Sequence, residues 1–285
     1  MTTIAARPQV EAGIVITIAR KELRDAVRNK WFWLYAIAFA GLAGVLTTLA
    51  LPSARVAGYG AFGRSASSLI ALVQLIVPLM GLTLGAQALA GQHERGTIRF
   101  LMSHPISRSE AFIGMYLGLV TALSATIAAG FGAAGVVTVM RGGAADAASF
   151  ARIAILSWIL AAAMLGLGML VSAFTNRSGV ASGSALFVWL GLVFLGDLGV
   201  MGTALATNLP VNALFFSAVA NPVEAFRLAT LTSFDGSLDV LGPAGSYAVN
   251  RFGGALDALL ISVLVIWVVI PVTIAWYRFV RSKDL

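Results

Sequence analysis

Six stretches of this chain run for 20 residues or more with almost no charge: Phe32–Leu51, Ser68–Gly91, Ala111–Met140, Ile153–Phe174, Gly179–Val200 and Leu256–Tyr277. The first four contain no Asp, Glu, Lys or Arg, and the last two contain one aspartate each, Asp197 and Asp257. The hydrocarbon core of a bilayer offers no water to peptide groups, so a crossing segment must satisfy its backbone internally. An α-helix of about 20 apolar residues does so. The chain is therefore predicted to be an all-α, polytopic membrane protein with about six transmembrane helices. Its 11 % of charged residues, against about a quarter in soluble domains, and its mean hydropathy of +0.91 exclude water as the main solvent. Six spans with short connections use up residues 1–285 as a single transmembrane domain. The third run exceeds what a bilayer needs and is expected to tilt or to begin outside the hydrocarbon.

Six crossings put both termini on one side. Thirteen of the 19 Lys and Arg fall on that side: six before Phe32, three between Gln92 and Glu110, Arg177, and three after Tyr277. The other side is longer yet holds six, so the termini and the 92–110 loop are expected in the cytoplasm. The formal charge of +7 thus lies beside the spans and marks a membrane protein, with no nucleic-acid partner expected. The first run begins only at Phe32 and lacks a small-x-small cleavage site, so it is expected to remain as an anchor.

Residues 10–31 predict a basic amphipathic helix. Val15, Ile18, Ala19, Leu23, Ala26 and Val27 share one face, and Arg20, Lys21, Arg24, Asp25 and Arg28 share the other. It reads either as a helix held on anionic lipid headgroups or as one that also meets a partner. Across the membrane, residues 201–255 form the longest connection. Pro210–Ala220 is apolar but too short to cross, which suits a re-entrant or interfacial helix. In the following NPVEAFRLATLTSFDG, Asn221 can cap, Pro222 suits the first helical position and Glu224 completes a capping-box-like pattern; Phe234, Asp235 and Gly236 signal the end.

The loop QHERGTIRFLMSHPISRSEAFIGMYLG, Gln92–Gly118, is longer than a connector requires. Ile98, Leu101 and Met102 give a short helix an apolar face, which by itself suits a helix on the membrane surface. Glu94, Arg95, Gly96 and Thr97, then Leu101, Pro105 and Arg108, then Gly114, resemble the signature of ABC-2 type permeases. The resemblance implies that 92–110 is a cytoplasmic coupling helix docking into a separate ABC ATPase, and that Arg20, Glu22 and Arg24 of the amphipathic helix make a second contact. Met115 stands where many members of the family carry Lys. ARKELRDAVRNKW, Ala19–Trp31, and the outer segment Asn221–Gly236 further resemble the permeases of nitrous-oxide reductase maturation systems. That resemblance implies a homodimer in the bacterial inner membrane, two copies of the ATPase, and a periplasmic β-helical partner, serving assembly of a copper–sulfur centre.

Asp197 inside the fifth run costs about 2.5–3.5 kcal/mol if left bare at the bilayer centre. It could line a polar path or pair across a dimer, or sit near the outer interface, where the cost falls. Glu224 and Arg227 are spaced for an intrahelical pair; by the resemblance, Asn221, Pro222, Glu224 and Arg227 would instead form the platform for the periplasmic partner. The spacings Gly81–Gly85, Gly114–Gly118 and Gly179–Gly183 permit close helix contact without naming its partner.

The two histidines, His93 and His104, and the scattered methionines form no soft-ligand cluster, so no metal site is expected. The absence of cysteine excludes thiolate chemistry. There is no H-E-x-x-H pattern and no His within the predicted spans, and an aspartic dyad would need Asp257 to meet Asp197. The lysines are Lys21, Lys30 and Lys283, none in a Walker A pattern. The chain is thus expected to be non-catalytic and to bind no cofactor, with ATP and Mg on the partner. A general ABC-2 exporter of a drug, lipid or peptide is the alternative function, and a purely structural anchor a third.

Overall fold

The computed structural model describes residues 11–56, 61–103, 106–140, 147–195, 211–232, 248 and 250–282. Among these the chain is helical, with no strand. In order the helices are α1 Ala12–Arg28, α2 Lys30–Val56, α3 Ala61–Glu94, α4 Thr97–Met102, α5 Arg108–Met140, α6 Ala147–Ser172, α7 Ser178–Leu190, α8 Val211–Ala220, α9 Pro222–Leu231 and α10 Leu256–Arg281. A π-helical turn, Gly191–Leu195, continues α7.

Among the described residues, five stretches are long and apolar enough to cross a membrane: Phe32–Leu49, Ser67–Glu94, Arg108–Met140, Ala148–Ser172 and Asn250–Arg281. The fifth of the six expected spans is described as a shorter apolar helix, Ser178–Phe194. The remainder of that run, with Asp197, lies outside the described residues, as do Pro105, His104 and residues 233–247.

Helix ends follow local chemistry. Ser107 and Glu110 form a capping box at the start of α5: Glu110 N–H donates to Ser107 Oγ at 3.2 Å, and Ser107 N–H donates to Glu110 Oε2 at 2.7 Å. Asn221 caps α9 by accepting from Val223 N–H at 2.9 Å, with Pro222 at the first position. The outer segment thus contains two ten-residue helices, α8 and α9, and neither can cross.

Lipid tails are as apolar as leucine, so helices in a bilayer associate through close contact more than through exclusion of water. The closest pairing is α3 with α6. A Cβ on Gly85 would stand 2.4 Å from Leu165 O, and one on Gly168 would stand 2.4 Å from Leu82 O, so backbone meets backbone. The apolar window of α3 is 78 % buried, against 28 % in α2 and 22 % in α10, which makes α3 the centre of the bundle and α2 and α10 its flanks. Leu34, Ile37 and Leu49 of α2 and Val269 and Ile270 of α10 face outward, a surface for lipid or for another transmembrane helix.

Both ends of the described chain meet at the start of α5. Glu11 N–H, ahead of α1, donates to Glu110 Oε1 at 2.7 Å, and Arg108 donates to Val280 O at 3.2 Å and to Ser282 O at the close of α10. This termini end also holds the α3–α4 turn. At the far end, Arg152 of α6 pairs with Asp257 of α10 at 2.8 Å and donates to Thr232 Oγ1 at 3.1 Å, fastening α6, α9 and α10 together.

Candidate functional site at the termini end

α1 buries its apolar face on protein. Val15, Ile18 and Ala26 are buried, and a Cβ on Gly114 would stand 2.7 Å from Ile18 Cβ, one on Gly118 2.5 Å from Ala19 O. The Gly114–Gly118 spacing is therefore the seat of α1 on α5. The apolar face of α1 is thus taken up by α5, and of its large apolar residues only Ile16 and Val27 remain exposed, while the basic face expected to meet headgroups or a partner stays outward.

Glu22 belongs to the buried side. It is 6 % exposed and accepts from Lys21 Nζ at 2.8 Å and from Gln92 Nε2 at 2.9 Å, which ties α1 to the last turns of α3. Lys21 also reaches Asp25 at 3.2 Å. Partial burial opposes the Lys21 charge, but hydrogen bonding and Coulomb attraction from Glu22, then Asp25, together outweigh it and hold the ammonium pKa above its usual value. Arg20 and Arg24 are exposed and face away from the bundle.

The ERGT motif is a turn with assigned tasks. Glu94 closes α3 and accepts from Ser178 N–H at 2.9 Å and from the Ser178 hydroxyl, so its carboxylate sits at the N-terminus of α7. Gly96 adopts φ +70° and donates to His93 O at 3.0 Å, the left-handed cap that lets α3 stop and α4 start in another direction. Gly96→Ala should cost about 1 kcal/mol from backbone strain, read as a lower unfolding midpoint in detergent without loss of helix content. Thr97 opens α4, where Ile98 is 1 % exposed and Leu101 packs on the core, so the apolar face of α4 points inward. Arg108 caps the C-terminal carbonyls of α10, where a cation opposes the helix dipole favourably. Beyond the α3–α4 turn itself, the motif residues therefore meet two other helix ends, the start of α7 and the close of α10, and Pro105 lies outside the described residues.

Between α1 and the α3–α4 turn lies a cleft of about 640 Å³, lined by Lys21, Glu22, Arg28, Gln92, Arg95 and Thr97 among others. Gln92 and Ser178 escaped the sequence reading. Gln92 stands two residues before Glu94, next to the end of an apolar run, and Ser178 precedes one; both are positions where a polar side chain can serve a helix end. Met115 is fully buried against the core, an environment in which Lys would be costly.

At the far end, Asn221 also donates from Nδ2 to Leu192 O at 2.7 Å, binding α9 to the π turn after α7. Pro222 and Glu224 are buried, and Arg227 lies 3.7 Å from Glu224 with its side chain 41 % exposed. Of the four residues expected to meet a partner, Asn221 and Arg227 are half-buried and the other two are buried.

The chain matches the family described as ABC-2 family transporter protein over residues 16–284. It is 30 % identical over 230 residues to "Probable ABC transporter permease protein NosY" of Pseudomonas aeruginosa, covering 78 % of this chain and 83 % of that protein. It is 28 % identical over 276 residues to the protein of the same name in Stutzerimonas stutzeri, covering 94 % of this chain and 98 % of that one. A multi-pass helical bundle whose ERGT turn joins three helix ends, matched from residue 16 to residue 284, belongs to the ABC-2 family of transporter proteins and is the permease subunit of an ABC transporter.

Proposed function

We propose that this permease couples ATP hydrolysis by two copies of a NosF-like cytoplasmic ATPase to maturation of the copper–sulfur centre of nitrous-oxide reductase, through a periplasmic, β-helical NosD-like partner. The likeness to two NosY proteins over most of the chain supports the naming of the system. The observation that carries the coupling role is the Glu94–Ser178 contact, which links the α3–α4 turn directly to α7. In this reading the chain works as a homodimer in the bacterial inner membrane with the termini end in the cytoplasm. ATP and Mg stay on the ATPase, and the chain itself is non-catalytic and holds no cofactor.

Closure of the ATPase pair acts on Arg20 and Arg24 of α1 and on the turn from Glu94 to Arg108. Because these elements are anchored on α5, α7 and α10, a difference in their contacts between the two ATPase states shifts the bundle between conformations. Arg227 at the far end is the contact for the periplasmic partner. The test is to tag the C-terminus, extract the complex gently and identify what co-purifies. An ATPase with a periplasmic β-helical protein supports the reading, and Arg227→Glu is expected to lower recovery of the periplasmic protein several-fold at unchanged ATPase recovery, as rim charges steer association. An ATPase without a periplasmic protein would instead indicate a general ABC-2 exporter of a drug, lipid or peptide.

A further inference from the structure

The cleft between α1 and the end of α3 holds more polar capacity than the fold consumes. Its lining includes three cations, Lys21, Arg28 and Arg95, against two anions, Glu22 and Asp25, an excess of one positive charge. Lys21 is engaged by both carboxylates, at 2.8 and 3.2 Å. Among the described residues, Arg28 and Arg95 have no carboxylate within salt-bridge distance.

Gln92, 3 % exposed, supplies a second and independent signal. Its Nε2 donates to Glu22, which settles the orientation of the amide, because the reverse would set Oε1 against a carboxylate. Its Oε1 is buried and meets no donor. A buried acceptor left without a donor is costly, so one that persists beside a cleft points to a ligand that donates.

Depth selects the ligand. Arg28 closes α1 just before α2, whose membrane stretch starts at Phe32, and Gln92 and Arg95 lie at the end of the α3 stretch, which closes at Glu94. The cleft therefore lies at the headgroup level of the leaflet at the termini end, and Leu84, Ala88 and Leu119 give it an apolar side continuous with the bundle. A single positive excess matches a headgroup with one negative charge. Phosphate oxygens suit two guanidinium groups, and hydroxyls on the headgroup supply the donor that Gln92 lacks. A phosphatidylethanolamine would bring another ammonium next to Lys21 and leave the excess unmatched, and phosphatidylcholine has no donor.

We propose that this cleft binds an anionic, hydroxyl-bearing glycerophospholipid headgroup of the phosphatidylglycerol type. The site does not depend on the identity of the ATPase or of the periplasmic partner. The bound lipid fills the gap between α1 and α3 and completes the hydrogen bonding of the Glu22–Gln92 link.

The test uses the full-length permease, purified in mild detergent, delipidated and titrated with defined lipids, with bound lipid counted by native mass spectrometry. The wild type is expected to retain phosphatidylglycerol about tenfold more tightly than phosphatidylcholine or phosphatidylethanolamine. R28Q/R95Q is expected to bring phosphatidylglycerol down to the phosphatidylcholine level, while R28K/R95K keeps most of the preference, which separates loss of charge from loss of fold. Gln92→Met is expected to remove the advantage of phosphatidylglycerol over phosphatidylmethanol, which carries the same phosphate without hydroxyls. Equal retention of all headgroups, or an unchanged preference in R28Q/R95Q, overturns the proposal. So does preferential capture of free glycerol phosphate, which marks a soluble-anion site, or displacement of the lipid by added ATPase subunit, which assigns the cleft to a protein occupant.

Discussion

Gly85→Ala is expected to destabilise the whole bundle by about 1–3 kcal/mol, whereas Gly132→Ala in the same protein should be neutral or slightly stabilising. The two substitutions add the same methyl group to a membrane helix. At Gly85 that methyl would stand 2.4 Å from Leu165 O and 2.8 Å from Met169 N, and at Gly132 nothing lies within 4 Å. Backbone atoms of a packed helix cannot step aside as a side-chain tip can, so α3 and α6 must separate along their length. That separation loosens the centre of the protein, since α3 is its most buried span. Gly118→Ala meets a similar obstruction at Ala19 O, 2.5 Å away, but there the yielding element is α1, outside the spans. Titration of the refolded protein with a denaturing detergent distinguishes the cases: a lower midpoint for Gly85→Ala, and an unchanged midpoint for Gly132→Ala. Equal midpoints for the two would show that close approach of α3 and α6 contributes nothing to stability.

What could be read from the sequence was whatever one segment decides for itself. Span positions follow from backbone satisfaction in hydrocarbon, and the start of α9 follows from Asn221 and Pro222, which act within one turn. The glycine spacings announced close contact, but not that Gly114 and Gly118 would receive α1, nor that Gly81 and Gly85 would receive α6. Those partners come from sequence-distant elements and leave no local mark. Gly179 and Gly183, with the same spacing, have nothing within 4 Å, so the pattern alone does not identify a contact.

The same division runs through the candidate site. Glu22 sits among charged neighbours on a helix whose polar face is plain from its periodicity, yet it turns inward because Gln92, 70 positions away, donates to it. Arg108 was expected to face the ATPase by its resemblance to a family motif. In the fold it holds the carbonyls at the end of α10, a contact across more than 170 positions. A motif records which residue types recur together, and here part of the reason is internal: the turn must hold three helix ends before it can transmit anything to a partner.

Glu94→Lys is expected to leave the permease inserted and bound to its ATPase, with hydrolysis continuing, while the output driven by hydrolysis falls about tenfold, the scale on which coupled sites commonly influence one another. The substitution removes the acceptor for Ser178 N–H and its hydroxyl, and it places a cation at the N-terminus of α7, where the helix dipole repels it. On the function proposed above, docking should survive, because the proposed contacts Arg20 and Arg24 are untouched and the buried residues of α4 stay in place. What is lost is the link that carries movement of the α3–α4 turn into α7 and, through Asn221 and Leu192, on to α9 at the far end. Ser178→Ala keeps the backbone donor and should show a smaller deficit of the same kind. On the function proposed above, the measurement pairs ATP hydrolysis by the reconstituted complex with the spectrum of the copper–sulfur centre in reductase made by cells carrying each variant. Hydrolysis retained with the spectrum diminished identifies Glu94 as a transmitting residue. Full formation of the centre in Glu94→Lys would refute that role, and loss of the ATPase from the purified complex would show that Glu94 serves docking instead.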